Sequence, residues 1–398
     1  MGTKLVTGLS KGKDAREAAT KAVEIAKGKL GDEKVALAVV YSSTQYNYQE
    51  VVDTVRQLTG GASLIGCSTG GEFTEEKVEN QSVAVGLISS DKMKFFPALI
   101  EGVKEDEVGA MKTLMDKLPL EEIEEYPYKA AVMFVDGLAG KGEEISIAAT
   151  NALGVEVKLA GGAAADDLKF EKTFVFCEDK VASNAATICL ITSKSPLFTG
   201  VKHGHIPLSK LLKATKAKGG VLYEVNNRPA WEVWKEETKE AAKEIGIDVE
   251  ELKNSTEIGS LLIRYEMGIP LGDGLKIRVP LSKNDDGSIN FACTIPQGIT
   301  FYIAKSEKQK QIESAYQAIM SAKAEAKGVK LAGALIFDCV CRGIILGEDF
   351  SKAVEQFKQA LGDIPLLGLE TYGEICYAPG QFSGFHNTTS VALLFPAE

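Results

Sequence analysis

The chain has 398 residues, 45% of them hydrophobic and 25% charged, and this size and ordinary composition predict a globular protein of two or three domains. Its formal net charge of −10 argues against a partner rich in phosphate, whether nucleic acid or an anionic membrane surface. No apolar run of transmembrane length and no signal-peptide pattern is present, so we expect a cytoplasmic protein without membrane insertion.

Cysteine and histidine usage argues against disulfides and metal. Seven cysteines are scattered through apolar runs without a Cys-x-x-Cys pair, which is typical of reduced, buried thiols. The chain has three histidines and no His-Glu-x-x-His motif. We therefore predict neither a metal site nor a cofactor.

The first predicted unit runs from the N-terminus to about residue 90. Asp14 and Glu17 form a capping-box signature before a helix with a stripe of small residues that ends at Ala26. An apolar strand follows at 35–41, and a second helix at 48–58 is stopped by two glycines. The unit closes with "LIGCSTGGE" (64–72) and a strand at 80–87.

The middle unit repeats this order more loosely. A helix over about 108–118 precedes an apolar strand at 130–136, and a second helix over 145–153 ends at Gly154. "LAGGAAADD" (159–167) then stands where the first unit has its Thr-Gly-Gly-Glu segment.

The stretch from about 200 to 300 has another character. It predicts short strands, among them 219–225, 260–266, 275–281, 288–295 and 299–305, and one helix from Pro229. "NDDGS" (284–288) is a hairpin turn signal between two of these strands.

The last unit returns to the earlier order. A helix over 307–326, a strand at 333–339 and a helix with Ser351 as its N-cap precede "LLGLETYGE" (366–374) and a strand at 387–394. Each unit therefore reads α-β-α-β-β. We predict an α/β fold of two related domains, 1–205 and 220–398, the second with added antiparallel strands.

The repeated strand ends carry the first candidate site. Thr69, Gly71 and Glu72 recur as Thr371, Gly373 and Glu374. A hydroxyl, a glycine that allows close approach and a carboxylate at a strand end fit a small polar ligand, because ligands of α/β sheets favour such ends. The alternative is structural, with Thr capping a turn and Glu bonding backbone amides.

Four further residues complete the candidate site. Gly162 and Asp166 lie in the glycine-rich middle segment, which fits close packing or polar ligand contacts better than phosphate, since two acids follow it. Arg342 follows a predicted core strand and is our first candidate to clamp a ligand carboxylate, with a solvated surface arginine as the alternative. His203 pairs with His205 on one strand face, in a structural or ligand-contacting role.

Cys339 supports a competing enzymatic hypothesis. It lies near Arg342, and Glu374 or His386 would have to serve as its base in a hydrolase or transferase. A buried structural thiol is the alternative, because cysteine is among the most buried residue types.

Together these segments resemble the FIST sensory domain family, with its N-terminal and C-terminal halves. The resemblance rests on "YSSTQYNYQEVV", "LIGCSTGGEF", "DGLAGKGEEI", "LAGGAAADD" and "GVKHGH" in the first half. In the second half it rests on "NNRPAWEVWKE", "IPQG", "ALIFDCVCRG", "LLGLETYGEI" and "HNTTSVALL".

The resemblance implies a ligand-binding sensory module of prokaryotic signalling, with small ligands such as amino acids. Relatives often carry output domains, for which this chain has no room, so we expect a signalling output protein in trans. An amino acid fits the residues as well, because Arg342 suits its carboxylate and Glu72, Glu374 or Asp166 its ammonium group. The sequence does not define the oligomeric state, and a pure scaffold without a ligand is the third hypothesis.

Overall fold

A computed structural model describes residues 2–120, 124–272, 274–377 and 383–398. The first unit contains β1 (Thr3–Ser10), α1 (Ala15–Leu30), β2 (Leu37–Ser42), α2 (Tyr48–Leu58), β3 (Ser63–Ser68), β4 (Glu72–Thr74), β5 (Val78–Glu79) and β6 (Val83–Ser90). The second contains β7 (Met93–Glu101), α3 (Glu107–Met115), β8 (Tyr128–Val135), α4 (Gly142–Leu153), β9 (Lys158–Ala163), β10 (Val175–Cys177), β11 (Lys180–Ala182) and β12 (Ala185–Ser193).

A third unit opens with β13 (Phe198–Lys202) and is then interrupted by an insert. The insert contains β14 (His205–Pro207), β15 (Leu212–Lys218), β16 (Val221–Val225), β17 (Arg228–Pro229), α5 (Ala230–Glu244), α6 (Ser255–Leu262), β18 (Tyr265–Leu271), β19 (Gly274–Arg278), β20 (Pro280–Lys283), β21 (Ile289–Phe291) and β22 (Thr300–Ser306). The third unit resumes with α7 (Lys308–Ala326), β23 (Leu331–Cys339), α8 (Val340–Leu346), a 3₁₀ turn (Gly347–Asp349), α9 (Phe350–Leu361), β24 (Leu366–Thr371), β25 (Glu374–Tyr377), β26 (Phe385–His386) and β27 (Ser390–Pro396).

The predicted α/β fold built from repeats, with added antiparallel strands, is confirmed. Each unit also opens with a strand, β1, β7 or β13, that the sequence analysis did not assign. The capping box of α1 is present, since Glu17 N donates to Asp14 Oδ1 at 2.8 Å.

Two local predictions are wrong. The segment 260–266 was expected to be a strand, but α6 extends to Leu262 and β18 begins only at Tyr265. The helix is capped by Asn254, whose side chain accepts from Glu257 N. Ser351 was expected to cap the last long helix, which instead begins one residue earlier, so that the Ser351 hydroxyl donates back to Glu348 O.

The three units exchange hairpins in a closed cycle. The strand orders are β1-β6-β2-β3-β10-β11 in the first sheet, β7-β12-β8-β9-β25-β26 in the second and β13-β27-β23-β24-β4-β5 in the third. Each unit thus gives the hairpin after its third strand to a neighbour: the first to the third, the third to the second and the second to the first. The pairs β2–β3, β8–β9 and β23–β24 are parallel, and their neighbours in these sheets pair antiparallel.

The inner faces of the three sheets share one core. Tyr41, Phe134 and Phe337 occupy equivalent positions on β2, β8 and β23 and are fully buried. The ring centroids lie 5.8 Å apart for the edge-on pair Tyr41–Phe134 and 5.9 Å apart for the tilted pair Phe134–Phe337. Helices cover the outer face of each sheet, where each unit has its own apolar cluster. The sheets are therefore covered on both faces, as their unbroken apolar strands indicated.

The insert has a core of its own around Trp234 and Phe301. In its described part, nine strands form one antiparallel sheet, against which α5 and α6 pack. The predicted domain boundary between 205 and 220 falls inside this insert and stays a prediction. Hairpin β4–β5, before this boundary, completes the third sheet, and hairpin β25–β26, after it, completes the second sheet.

Candidate functional site

The repeated Thr-x-Gly-Glu corners are the points at which the chain leaves one sheet for the next. Gly70 N donates to Glu370 O at 2.9 Å, and Tyr372 N donates to Ala163 O at 3.0 Å. In the middle unit Ala165 N donates to Ser68 O at 3.0 Å. Each corner is therefore bonded to the end of the strand that its own hairpin extends.

The glutamates of both corners are sealed inside the protein. Glu72 and Glu374 have no exposed surface. Thr371 Oγ1 donates to Glu374 Oε1 at 2.8 Å, and Thr389 Oγ1 and N donate to Oε2. Glu72 accepts from Thr69 Oγ1 and, at 2.5 Å, from Ser82 Oγ.

Burial raises the pKa of Glu72 and of Glu374 to about 8, although hydrogen bonds from their hydroxyl partners oppose that shift. A protonated, enclosed carboxyl group does not hold a ligand ammonium. The prediction that these corners bind a small polar ligand is therefore wrong. Their role is structural, as the alternative proposed, but the Thr69 and Thr371 hydroxyls bond the glutamates and do not cap turns.

The three predicted glycines serve close packing of protein on protein. A Cβ on Gly162 would lie 2.5 Å from Thr371 Cγ2, and one on Gly71 would overlap the Glu370 carboxylate. A Cβ on Gly373 would overlap the ring of Phe385. None of the three leaves room for a ligand.

Asp166 organises a loop and does not face a cleft. Its carboxylate accepts from the backbone N–H groups of Phe170, Glu171 and Lys172 at 2.7–2.9 Å, and from the Tyr372 hydroxyl. These bonds hold Phe170 at φ 55°, an unusual conformation for a bulky residue, where its ring stacks on Tyr372 at 4.8 Å. Asp166, predicted as a ligand contact, thus positions the Phe170 ring against Tyr372.

Arg342 lies at the start of α8 and is completely buried, so its prediction as a clamp on a ligand-side loop is wrong. Nε donates to Asp338 Oδ1 at 2.8 Å, while Nη1 donates to Gln311 and to Ser314 Oγ. The guanidinium neutralises Asp338 and joins α7 to β23 and α8. Both sequence alternatives, ligand clamp and solvated surface residue, miss this role.

Cys339 lacks the setting of a nucleophile. Its side chain is buried, and burial raises its pKa well above the ordinary value, which disfavours the thiolate. His386 donates from Nε2 to Cys376 O at 2.9 Å, and Glu374 is engaged as described. The hypothesis of a cysteine-dependent hydrolase or transferase therefore has no support in the site geometry.

One cleft, which we call the aromatic cleft, has a volume of about 390 Å³ and lies between the second unit, the third unit and the insert. Its aromatic surface comes from Phe170, Phe291, Tyr372 and Phe385. Further walls come from Leu138, Ala163, Ile263, Val279, Pro280, Leu281, Ala292 and Val340, and the polar contributions from Asp136, Cys341 and the glycines 137, 140, 142 and 259.

Sequence reasoning missed the aromatic cleft, although two signals pointed near it. Gly137, Gly140 and Gly142 belong to "DGLAGKGEEI", and Tyr372 is the variable residue inside the repeated corner. A large aromatic at that position, where the first unit has Gly70, distinguishes the last corner from its twin.

A second cleft, which we call the histidine cleft, has a volume of about 790 Å³ and lies between the third unit and the insert. It contains His203, as well as His205 and His386, and so unites the three histidines of the chain. His203 Nε2 donates to Leu275 O at 2.9 Å and its Nδ1 accepts from His205 N at 3.2 Å, so both ring nitrogens are already engaged. His203 is the predicted site residue that the structure does place at a cleft.

The described residues contain no cluster of three or more His, Cys, Asp or Glu side chains arranged to hold a metal ion. Among the same residues, no helix is long and apolar enough to cross a membrane.

The protein is an α/β protein of three interlocked units with clefts between them, an architecture that can bind small ligands. The model of the FIST N domain matches residues 36–228, and that of the FIST C domain matches residues 230–377. The chain belongs to the FIST family, whose domains are associated with sensory signalling and small-ligand binding.

Individual relatives are distant. An uncharacterised protein of Methanocaldococcus jannaschii is 25% identical over 278 residues, which cover 67% of this chain and 53% of that protein. The chain thus spans about half the length of the curated relative that it matches. Two solved structures of cyanuric acid hydrolase, one from A. caulinodans, align over both full chains with 7% identity and TM-scores of 0.34 and 0.36. These likenesses are weak, and no conclusion about fold or activity follows from them.

Proposed function

We propose that this chain is a sensory protein that binds a small amphipathic metabolite, such as an apolar or aromatic amino acid, in the aromatic cleft. The observation that carries the proposal is the wall of Phe170 stacked on Tyr372, held in an uncommon backbone conformation by Asp166. Strained residues at the wall of a cleft are common in ligand sites, because surrounding structure must hold them there.

The dimensions and the chemistry of the cleft support a small ligand. A volume of about 390 Å³ lies within the range of ligand pockets, which are mostly apolar with a few placed polar groups. An aromatic or aliphatic side chain would find its contacts on Phe170, Tyr372, Phe385 and Leu281.

Two helix ends supply the partial charges that would bind the carboxylate and the ammonium group of a zwitterion. Gly142 lines the cleft at the N-terminus of α4, a helix without a side-chain cap, whose first amides carry partial positive charge suited to a carboxylate. Ile263 lines it directly after the carboxyl end of α6, where the partial negative charge of the helix suits an ammonium group.

Signalling would follow from the position of the cleft. Its walls come from two units and the insert, so a ligand that prefers one arrangement of these parts would shift their equilibrium. In this proposal an output protein in trans binds the arrangement that the ligand stabilises.

A thermal-shift screen of the common amino acids, followed by calorimetric titration of each hit, tests the proposal. A ligand at 100 times its Kd should stabilise the fold by about 2.7 kcal/mol. Phe170→Ala should weaken binding by roughly 2–12-fold, because an aromatic pair contributes about 0.5–1.5 kcal/mol beyond its buried area.

Leu168→Ala is the matched control, since Leu168 is also an exposed apolar residue at positive φ on the same loop but does not line the cleft. The proposal fails if no hit is found among amino acids, or if the two variants weaken binding equally.

A further inference from the structure

Residues 164–174, which we call the bridging loop, connect the wall of the aromatic cleft to the first unit. The loop leaves β9 in the second sheet and enters β10, which pairs with β3 in the first sheet. Within it, Asp167 has φ 53°, Leu168 has φ 62° and Phe170 has φ 55°. Such values are uncommon for residues other than glycine and persist only where surrounding contacts hold them.

One anchor of the bridging loop lies beside the aromatic cleft. The Asp166 carboxylate accepts from the backbone N–H groups of residues 170–172 and from the Tyr372 hydroxyl. Phe170 and Tyr372 line the cleft and stack on each other. A ligand that packs on this aromatic wall therefore acts on groups that are bonded to Asp166.

The other anchor lies on the first unit. Asp167 Oδ2 accepts from Ser43 Oγ at 2.8 Å, from Thr44 N at 2.9 Å and from Thr44 Oγ1. Thr44 Oγ1 in turn accepts from Lys169 Nζ at 2.7 Å. Ser43 and Thr44 belong to the turn between β2 and α2, a unit that contributes no residue to the described lining of the aromatic cleft. The bridging loop is therefore a direct path between that cleft and the first unit.

We propose that the bridging loop couples occupation of the aromatic cleft to the surface of the first unit at Thr44 and Lys169. The inference rests on the proposed function and assigns the regulation of that site. A ligand that packs on Phe170 and Tyr372 stabilises the loop in its pinned arrangement, and with it the bonds between Asp167 and Thr44. The output protein senses the ligand by binding this face of the first unit, where Lys169 is exposed.

The strain in the bridging loop is the reason that its two anchors act together. Asp166 and Asp167 are consecutive, and the residues at positive φ lie at these positions and shortly after them. Strained backbone reverts to ordinary conformations when the contacts that hold it are lost. Loss of the partners of either carboxylate therefore loosens the other anchor as well, and the coupling is reciprocal.

Hydrogen exchange of the full chain, measured by mass spectrometry without any ligand, tests the coupling. Thr44→Val removes the hydroxyl that donates to Asp167 and keeps the branched side chain. Exchange of residues 170–172, whose N–H groups bond to Asp166, should accelerate by about 2–12-fold, the range for the loss of one hydrogen bond. Thr44→Ser keeps the hydroxyl and should exchange at the wild-type rate, which a role of Thr44 in packing alone does not explain.

Tyr372→Phe supplies the reverse measurement, because it removes the bond to Asp166 and keeps the ring that stacks on Phe170. Exchange of the Thr44 N–H group, which bonds to Asp167 on the far side of the loop, should accelerate in the same range of about 2–12-fold. This arm decides the inference even if Thr44→Val does not fold.

Thr215→Val is the matched control. Thr215 is also half-buried, and its hydroxyl accepts from Asn227 N at 2.8 Å in the insert. This variant should leave exchange in the bridging loop and at Thr44 unchanged. Effects of Thr44→Val or Tyr372→Phe that stay at their own anchor, or an equal effect of the control, would overturn the inference.

Failure of the coupling and failure of the proposed function are recognised separately, because the exchange measurements use no ligand. An amino-acid screen without a hit refutes the proposed ligand and leaves the link between the two anchors in place. Exchange that does not change across the loop in Thr44→Val and Tyr372→Phe refutes the coupling and leaves the ligand site in place.

Discussion

At the scale of single residues, the repeated Glu of the Thr-x-Gly-Glu corners was compatible with two roles, a contact to a ligand or a structural contact inside the protein. Its recurrence after a strand suited a ligand-facing carboxylate, but Glu72 and Glu374 are enclosed and bonded to hydroxyl groups. A protonated Glu374 would donate from Oε1 to Thr371 Oγ1, whose own hydrogen then goes to Asp338 O. The repetition reflects a repeated crossover in the chain and not a repeated binding site.

The raised pKa of Glu374 makes a prediction about stability and pH. Its folded pKa of about 8 lies above the ordinary 4.5, so between these values the folded state holds a proton that the unfolded state has released. Wild-type stability from this group is therefore lost as the pH rises through that window. Glu374→Gln carries no such proton, so its stability relative to wild type should increase with pH, by up to about 1.4 kcal/mol per unit.

Urea denaturation at pH 5, 6, 7 and 8 measures this difference. Glu355→Gln is the matched control for the Glu-to-Gln change, because Glu355 is exposed on α9. A stability difference between Glu374→Gln and wild type that stays constant across the series would contradict the neutral carboxyl.

At the scale of elements, the small-residue stripe of α1 packs against a glycine of strand β1, a contact that the sequence did not predict. Gly8 on β1 lies against this helix, and a Cβ there would overlap the carbonyl oxygen of Ala22. Gly200 on β13 has the equivalent position against α7, where a Cβ would overlap Ala318 O. In both units a strand glycine and helix alanines allow the backbones to approach closely.

Gly8→Ala should accordingly destabilise the protein by about 1–3 kcal/mol, since an added methyl group must displace α1 from the sheet. Gly28→Ala is the matched control on α1 itself: this glycine is exposed, and a Cβ there meets no atom within 4 Å. The control should stabilise by about 0.5–1 kcal/mol through better helix propensity. Both values come from urea denaturation, and equal effects of the same sign would refute the packing argument.

At the scale of the whole molecule, the cyclic exchange of hairpins ties the three units into one structure. Hairpin β4–β5 pairs with β24 of the third unit, and β25–β26 pairs with β9 of the second. The central core takes Tyr41, Phe134 and Phe337 from three different units. Cutting the chain near residue 205 would expose this core and leave strand edges unpaired.

The fragment 1–205 should therefore fail to fold alone, although the sequence analysis assigned it as a domain. We expect dye binding to exposed apolar surface, little near-ultraviolet circular dichroism and no cooperative unfolding. Mixing it with fragment 206–398 should restore cooperative unfolding, because each part completes sheets of the other. A cooperative two-state transition of 1–205 by itself would show that the predicted boundary defines an independent domain.

The sequence by itself determined the long helices and the central apolar strands of each unit, the repeat, the α/β class and the family, because hydrophobic periodicity, caps and motifs are local along the chain. It did not determine the opening strands β1, β7 and β13. The tertiary structure decided which sheet each hairpin joins, because partners such as Glu72 and Leu369 are almost 300 residues apart and leave no local signal. It also decided the sites. Phe170, Tyr372 and Leu281 meet at one cleft and His203 and His386 at another only because of those long-range pairings, while polar corners that looked exposed became neutral and enclosed.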